Sequence, residues 1–199
     1  MPAAIASGTD GRVAFCARVS EGAIAFDGAT VDVIDFAVVV AAFASDGKPL
    51  WVAAPAIDLD AECLGIIVAD DGTVLVAVNT GAVPPIGEVI ALRDGKVSWR
   101  VTVPKLLQRD RGTATAIGSS GTEAILATRS RGAAALVTLD SKTGAAKGIP
   151  IALGDMHATD IAVGRDIYVV GDTEGNATVR GQLLLGRGKK DVVVVAVPR

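Results

Sequence analysis

A single histidine, two cysteines, two tryptophans and scattered carboxylates are the side chains here that could do chemistry. His157, in the run GDMHATD, is the one imidazole available to a Ser-His-Asp or Cys-His centre, with Asp155 and Asp160 beside it in sequence. Such a centre also needs a presented nucleophile. There is no GxSxG elbow, Gly118-Ser119-Ser120-Gly121 has the spacing of a turn, and both cysteines lie far along the chain. His157 therefore reads as a solvated loop residue. No catalytic, cofactor-binding or metal-binding residue is assigned, and the expectation is that the chain is not an enzyme.

Zinc lacks clustered His and Cys ligands. Oxygen ligands for calcium exist in Asp58, Asp60 and Glu62 of IDLDAE and in the turn Asp70-Asp71-Gly72, but neither follows the twelve-residue calcium loop. They read as solvated loop carboxylates. Gly181 to Lys190, GQLLLGRGKK, has the glycines and lysines of a phosphate-gripping loop without a helix to follow, and reads as a charged loop. Lys105, Arg109 and Arg111 in PKLLQRDRG, with Arg187, Lys189 and Lys190, could form an anion-attracting rim, although a solvated polar rim is the simpler reading.

The composition narrows the classes of partner. Nineteen Lys and Arg against 22 Asp and Glu, spread without long runs, leave no basic stripe for nucleic acid and no polybasic patch for a membrane surface. The longest apolar stretch, Phe36 to Ala44, is well short of the roughly 20 residues of a spanning helix. The opening MPAAIASGTDGR lacks the basic start and apolar run of a secretory signal. Cys16 and Cys63 each sit in an apolar, strand-like run and read as buried thiols rather than a disulfide framework. At 199 residues the chain fits one domain or one repeat array, and its apolar excess is Val, Ala and Ile punctuated by 23 glycines, which favours strands between frequent turns.

Those strands repeat. Asp46-Gly47-Lys48-Pro49-Leu50-Trp51 and Asp94-Gly95-Lys96-Val97-Ser98-Trp99 share DGKxxW 48 residues apart, each between apolar runs, which is the pattern of a hairpin turning at Asp-Gly. Ala135 to Leu153 gives a third copy, with Thr143-Gly144 at the turn and no tryptophan. The shared place of Trp51 and Trp99 points to a structural role in an outer strand rather than to sugar stacking. Upstream lies a second recurring hairpin, starting at Ala3, Leu64, Thr115 and Thr159, with Gly11, Gly72, Gly121 and Gly164 at or beside its turn. Phe26-Asp27-Gly28 followed by Asp35 parallels Val179-Arg180-Gly181 followed by Asp191, 156 residues on.

The unit is thus about 50 residues and four strands, the size of a propeller blade. The fold class expected is all-β: a β-propeller or partial propeller of about four four-stranded antiparallel blades in one array, at residues 2–54, 55–103, 104–153 and 154–199. The last blade stops where its siblings turn at DGK, so it should lack its outer strand. A fragment of a larger ring, a four-bladed ring with one thin blade, and a half-ring that completes itself as a homodimer all remain open.

The strings IAV with YVVGDT (Ile161 to Thr173), DFAVVVAAF (Asp35 to Phe43) and DGKPLW resemble the repeats of bacterial seven-bladed surface propellers, the SBBP repeats. LDSKTG (Leu139 to Gly144) is similar to the turn of quinoprotein-type blades. The resemblance implies a rigid extracellular or cell-envelope scaffold and carries no active-site residue to any position. The function expected is a non-catalytic scaffold binding a protein or glycan through loops on one face, with Ser20 to Ile34 and Thr173 to Lys190 as long irregular recognition loops. The alternative is a fragment of a propeller hydrolase, lyase or quinone-dependent dehydrogenase with its site in the central channel. The inner strands offer such a site almost no ionisable residue beyond Asp160.

Overall fold

The computed structural model describes residues 3–199 apart from 34, 56, 58, 59, 109 and 110. Valine-rich runs separated by Asp-Gly and other glycine turns form antiparallel strands that gather into blades of four strands or, in the last, three, in a four-blade β-propeller arrangement. Blade one holds β1 (Ala3–Ser7) and β2 (Val13–Val19), then, after an inserted hairpin of β3 (Gly22–Phe26) and β4 (Ala29–Val33), β5 (Ala37–Phe43) and β6 (Pro49–Ala53). Blade two is an uninterrupted meander of β7 (Glu62–Val68), β8 (Val74–Asn79), β9 (Gly87–Arg93) and β10 (Lys96–Thr102). Blade three comprises β11 (Thr113–Ser120), β12 (Glu123–Ser130), β13 (Ala133–Asp140) and β14 (Ala146–Gly154). Blade four has three strands, β15 (His157–Val163), β16 (Asp166–Thr173) and β19 (Asp191–Pro198), with the hairpin β17 (Ala177–Val179) and β18 (Gln182–Leu184) inserted before the last.

Inner strands β1, β7, β11 and β15 pack on one another in order. Each junction between blades is a buried apolar seam of small and branched side chains. Ala14, Cys16, Val38 and Val40 meet Ile66, Val76 and Ile90 between blades one and two. Leu75, Ala77 and Val89 meet Leu126, Val137 and Leu139 between blades two and three. Ile125, Leu136 and Leu153 meet Ile161, Val169 and Val197 between blades three and four. Strands inside the stack are sealed on both faces, as in Val74 to Val78, which explains why their sequences show continuous rather than alternating apolar character. Among the described residues, no packing of this kind joins β15 back to β1.

The tryptophans fasten neighbouring blades, as their shared position suggests. Trp99 in β10 lies against the turn at Gly144 of blade three and donates its indole N–H to Ser141 O at 3.1 Å. Trp51 in β6 lies in the same way against the turn at Gly95 of blade two. Asn79 bridges blades two and three through both amide atoms, taking Ala114 N at 3.0 Å and donating to Ala114 O at 3.2 Å.

Three expectations need correction. Cys16 and Cys63 are not separate thiols: they are joined as a disulfide across the first junction, with Cα atoms 6.2 Å apart, inside the range a disulfide spans. Their separation of 47 residues is close to one blade, so the two occupy facing places on neighbouring sheets. The presumed irregular loops are the hairpins β3–β4 and β17–β18, each closed by two residues of positive φ, Asp27-Gly28 and Arg180-Gly181, as a type I′ turn requires. The segment PKLLQRDRG opens with a short helix, α1 (Val103–Leu107), started by Pro104 and ended by Gln108 in the left-handed region, with Val103 and Leu106 buried.

Candidate functional site

The connections from each outer strand to the next blade, and those between the second and third strands of a blade, lie at one end of the sheets. Both inserted hairpins and α1 belong to this end. Here the third junction opens into a cleft of about 400 Å³ lined by Arg129, Asp155, His157, Asp172, Glu174 and Lys190, among others.

Each of these side chains is placed by a strand end. His157 is the first residue of β15 and stands directly opposite Asp172 near the end of β16, so both project to the same side of blade four. Their side chains approach to 3.6 Å between Nδ1 and Oδ2, beyond ordinary hydrogen-bond length and within ion-pair reach if the ring is protonated. Lys190, just before β19, brings its ammonium to 3.7 Å from the other carboxylate oxygen of Asp172. Arg129 comes from the end of β12, beside the Arg131-Gly132 turn. Asp155 is held by the hairpin, accepting Thr178 N at 3.2 Å, and Asn176 in the same loop accepts Gly186 N at 3.0 Å. His157 is 43% exposed and Asp172 23%, so the pair is open to a ligand while its backbone is fixed in the sheet.

The sequence placed His157 with Asp155 or Asp160, and the structure separates their roles. Asp155 lines the cleft and is tied to the hairpin, while Asp160 receives its own neighbour's Ile161 N at 2.8 Å. The carboxylate beside the imidazole is Asp172, fifteen residues on, together with Lys190, which the sequence placed in a solvated rim. The register of β15 on β16 joins His157 to Asp172, and that of β16 on β19 brings Lys190 beside them; no spacing rule signals either.

The other candidate residues lie elsewhere. Asp60 pairs with Arg18, whose guanidinium also sits 4.4 Å over the Phe36 ring. Asp70 accepts from Thr9, and Asp71 pairs with Arg93 at 2.6 Å. The Asp71 carboxyl, although burial pushes it up, is held below the usual carboxylate range by Thr73 and Arg93. Glu62 is exposed at the start of β7, and Asp58 and Arg109 lie outside the described residues. Lys105, Arg111, Arg187 and Lys189 are exposed.

No family profile matches this sequence, and a search of curated proteins finds no match. Solved structures do match. An ulvan lyase of polysaccharide lyase family PL25 is 11% identical with a TM-score of 0.53, covering 99% of this chain and 51% of that one. A protein of unknown function from Bacteroides caccae is 13% identical with a TM-score of 0.46, over 98% of this chain and 60% of that one. The Dos1 propeller is 12% identical with a TM-score of 0.46, over 98% and 61%. The chain spans about half to three-fifths of the length of these structures, and at such identity the likeness to the ulvan lyase is one of fold alone.

Proposed function

We propose that the chain is a non-catalytic propeller scaffold of the SBBP-like kind that binds a hydroxyl-rich ligand, a glycan chain, in the cleft between blades three and four. The observation that carries this reading is the convergence of donors (Arg129, Lys190) and acceptors (Asp155, Asp172, Glu174) around His157 on one open cleft. Sugar hydroxyls donate and accept at once, and a few fixed polar groups on a rigid frame are what orient such ligands. The ulvan lyase structure has also been seen bound to -[GlcA(1-4)Rha3S]-, which makes an acidic oligosaccharide the first ligand to try. A disulfide between blades one and two supports an oxidising compartment, in keeping with an envelope or extracellular setting.

A second reading rests on the His157 and Asp172 pair. An imidazole with a carboxylate 3.6 Å away is a combination that the proton-transfer centre of a lyase or hydrolase would use.

Titration calorimetry of the whole chain with acidic oligosaccharides, alongside assay of the same mixtures for cleavage, separates the two. Saturable heats without products, weakened about tenfold by Arg129→Ala or Lys190→Ala, are the expected result. Products that vanish in His157→Ala would establish the enzyme reading, and binding indifferent to all three substitutions would place the ligand elsewhere.

A further inference from the structure

An unpaired strand edge is a row of main-chain donors and acceptors open to another strand, and folded proteins blunt such edges with charges, prolines, bulges or a covering segment. The outer edges of the first three blades are blunted in these ways. β6 opens with Pro49, and its pairing slips between Ala42 and Phe43 of β5. β10 carries Lys96 and Arg100 and a bulge between Val97 and Trp99. β14 slips register twice against β13, and β17 pairs with its end.

The outer edge of β19 has none of these devices. Its eight residues pair with β16 from Asp191 to Pro198 without a register shift, and the run from Val192 to Val197 is uncharged. β19 is the third strand of its blade, the place that β5, β9 and β13 hold in theirs, and each of those carries a fourth antiparallel strand on this edge. Among the described residues, no strand pairs with the outer edge of β19.

A groove of about 370 Å³ follows that edge. One wall is formed by four consecutive residues, Val193 to Ala196, which is how a strand lines a groove with its edge; a face would contribute alternate residues. The other wall is the β17–β18 hairpin, with Val179 and Leu184. A second copy's β19 does not fit between these walls, because β16, paired along the whole of β19, would have to stand where the hairpin stands. A single extended segment fits.

We propose that this groove is a strand-addition site, in which an extended segment of a partner polypeptide pairs antiparallel with β19 and completes blade four. The walls define the chemistry of that segment. Val193 and Val195 turn toward the seam with blade three, where Leu184 also packs, whereas Val192 and Val194 are 80% and 63% exposed. The segment is therefore free of interior proline and apolar at alternate residues, those that lie beside Val193 and Val195.

Titration of the 199-residue chain with the synthetic peptide DGKVSWRVT tests this. The peptide is the outer strand of blade two with its turn, residues 94–102, and has the required alternation at Val97, Trp99 and Val101. Amide exchange should slow about tenfold or more, saturably, at those amides of Val192 to Val197 that exchange fast in the free chain. Along an antiparallel strand, alternate N–H groups point at the partner. Two further peptides, one N-methylated at the Val97, Trp99 and Val101 positions and the other at Ser98 and Arg100, should therefore differ, one losing about tenfold in affinity and the other retaining it. Absence of saturable binding at millimolar peptide, equal binding of the two methylated peptides, or slowing confined to other strands would overturn the proposal. So would β19 amides that slow in the free chain as its own concentration rises, which would assign the edge to a second copy.

Discussion

The indole of Trp99 in blade two rests on the turn glycine Gly144 of blade three, so closely that a methyl group on Gly144 would come within 2.5 Å of the ring. Gly144 has φ +70 and its N–H donates to Asp140 O at 2.9 Å. The turn is therefore selected twice, by its backbone conformation and by the ring above it. Gly144→Ala should cost about 2 kcal/mol, combining the positive-φ penalty with the steric conflict, and Trp99→Phe about 1 kcal/mol through the lost hydrogen bond to Ser141. Urea unfolding monitored by circular dichroism checks both.

Gly47 and Gly95 separate those two contributions. Both have positive φ, +84 and +74, but only Gly95 has a tryptophan against it. Gly47→Ala should cost roughly 1 kcal/mol from backbone alone, and Gly95→Ala should cost more. Equal losses would show that the contact with Trp51 adds nothing.

The Cys16 to Cys63 bond closes a loop of 47 residues across the first junction. Intact mass without reductant should be two hydrogens lower than after reduction under denaturing conditions. The double variant Cys16→Ala, Cys63→Ala should be less stable by about 4 kcal/mol on the chain-entropy account.

Asp140 gives the third hairpin turn an acid-sensitive latch. Its carboxyl is held below the ordinary range chiefly by the Thr143 hydroxyl, with the N–H groups of Thr143 and Lys142 and the Lys147 ammonium assisting against burial. Lowering a folded-state pKa adds stability that is present above the unfolded value and is lost as pH falls through the folded value. Asp140→Asn should therefore be less stable than wild type at neutral pH, and the gap should narrow below about pH 4. A gap that stays constant down to the acid limb would show that the latch is not ionic.

How far the sequence is legible follows from what each feature depends on. The all-β class and its antiparallel hairpins could be read because each hairpin turn is a local chemical demand, met by Asp94-Gly95 or Thr143-Gly144 wherever the chain must reverse. The structural place of the tryptophans could be read from their common offset after the turn. The disulfide carried a usable signal, since Cys16 and Cys63 are nearly one repeat apart and so face each other, but a spacing that long looks accidental until the stacking is known. The cleft carried none. Arg129, His157, Asp172 and Lys190 come from or beside four strand ends in two blades, and the β15–β16 and β16–β19 registers with the third seam bring them together. The hairpins read as loops in the sequence because strands of three and five residues with exposed positions lack the apolar density of the inner sheets.

The hairpin of β17 and β18 does more than decorate blade four. Val179 pairs with Gly154 at the end of β14, and Arg180 N and Asp155 N bond across the same gap, to Leu153 O and Thr178 O. Blades three and four are thus sewn together by two main-chain bonds, blades one and two by sulfur, and blades two and three by the main-chain bond from Gly87 N to Gly112 O at 2.8 Å together with the Asn79 and Trp99 side chains. In a stack whose stability is a sum of units and of couplings between neighbours, unequal couplings set where the array parts. Amide exchange should show blades three and four opening as one cooperative block.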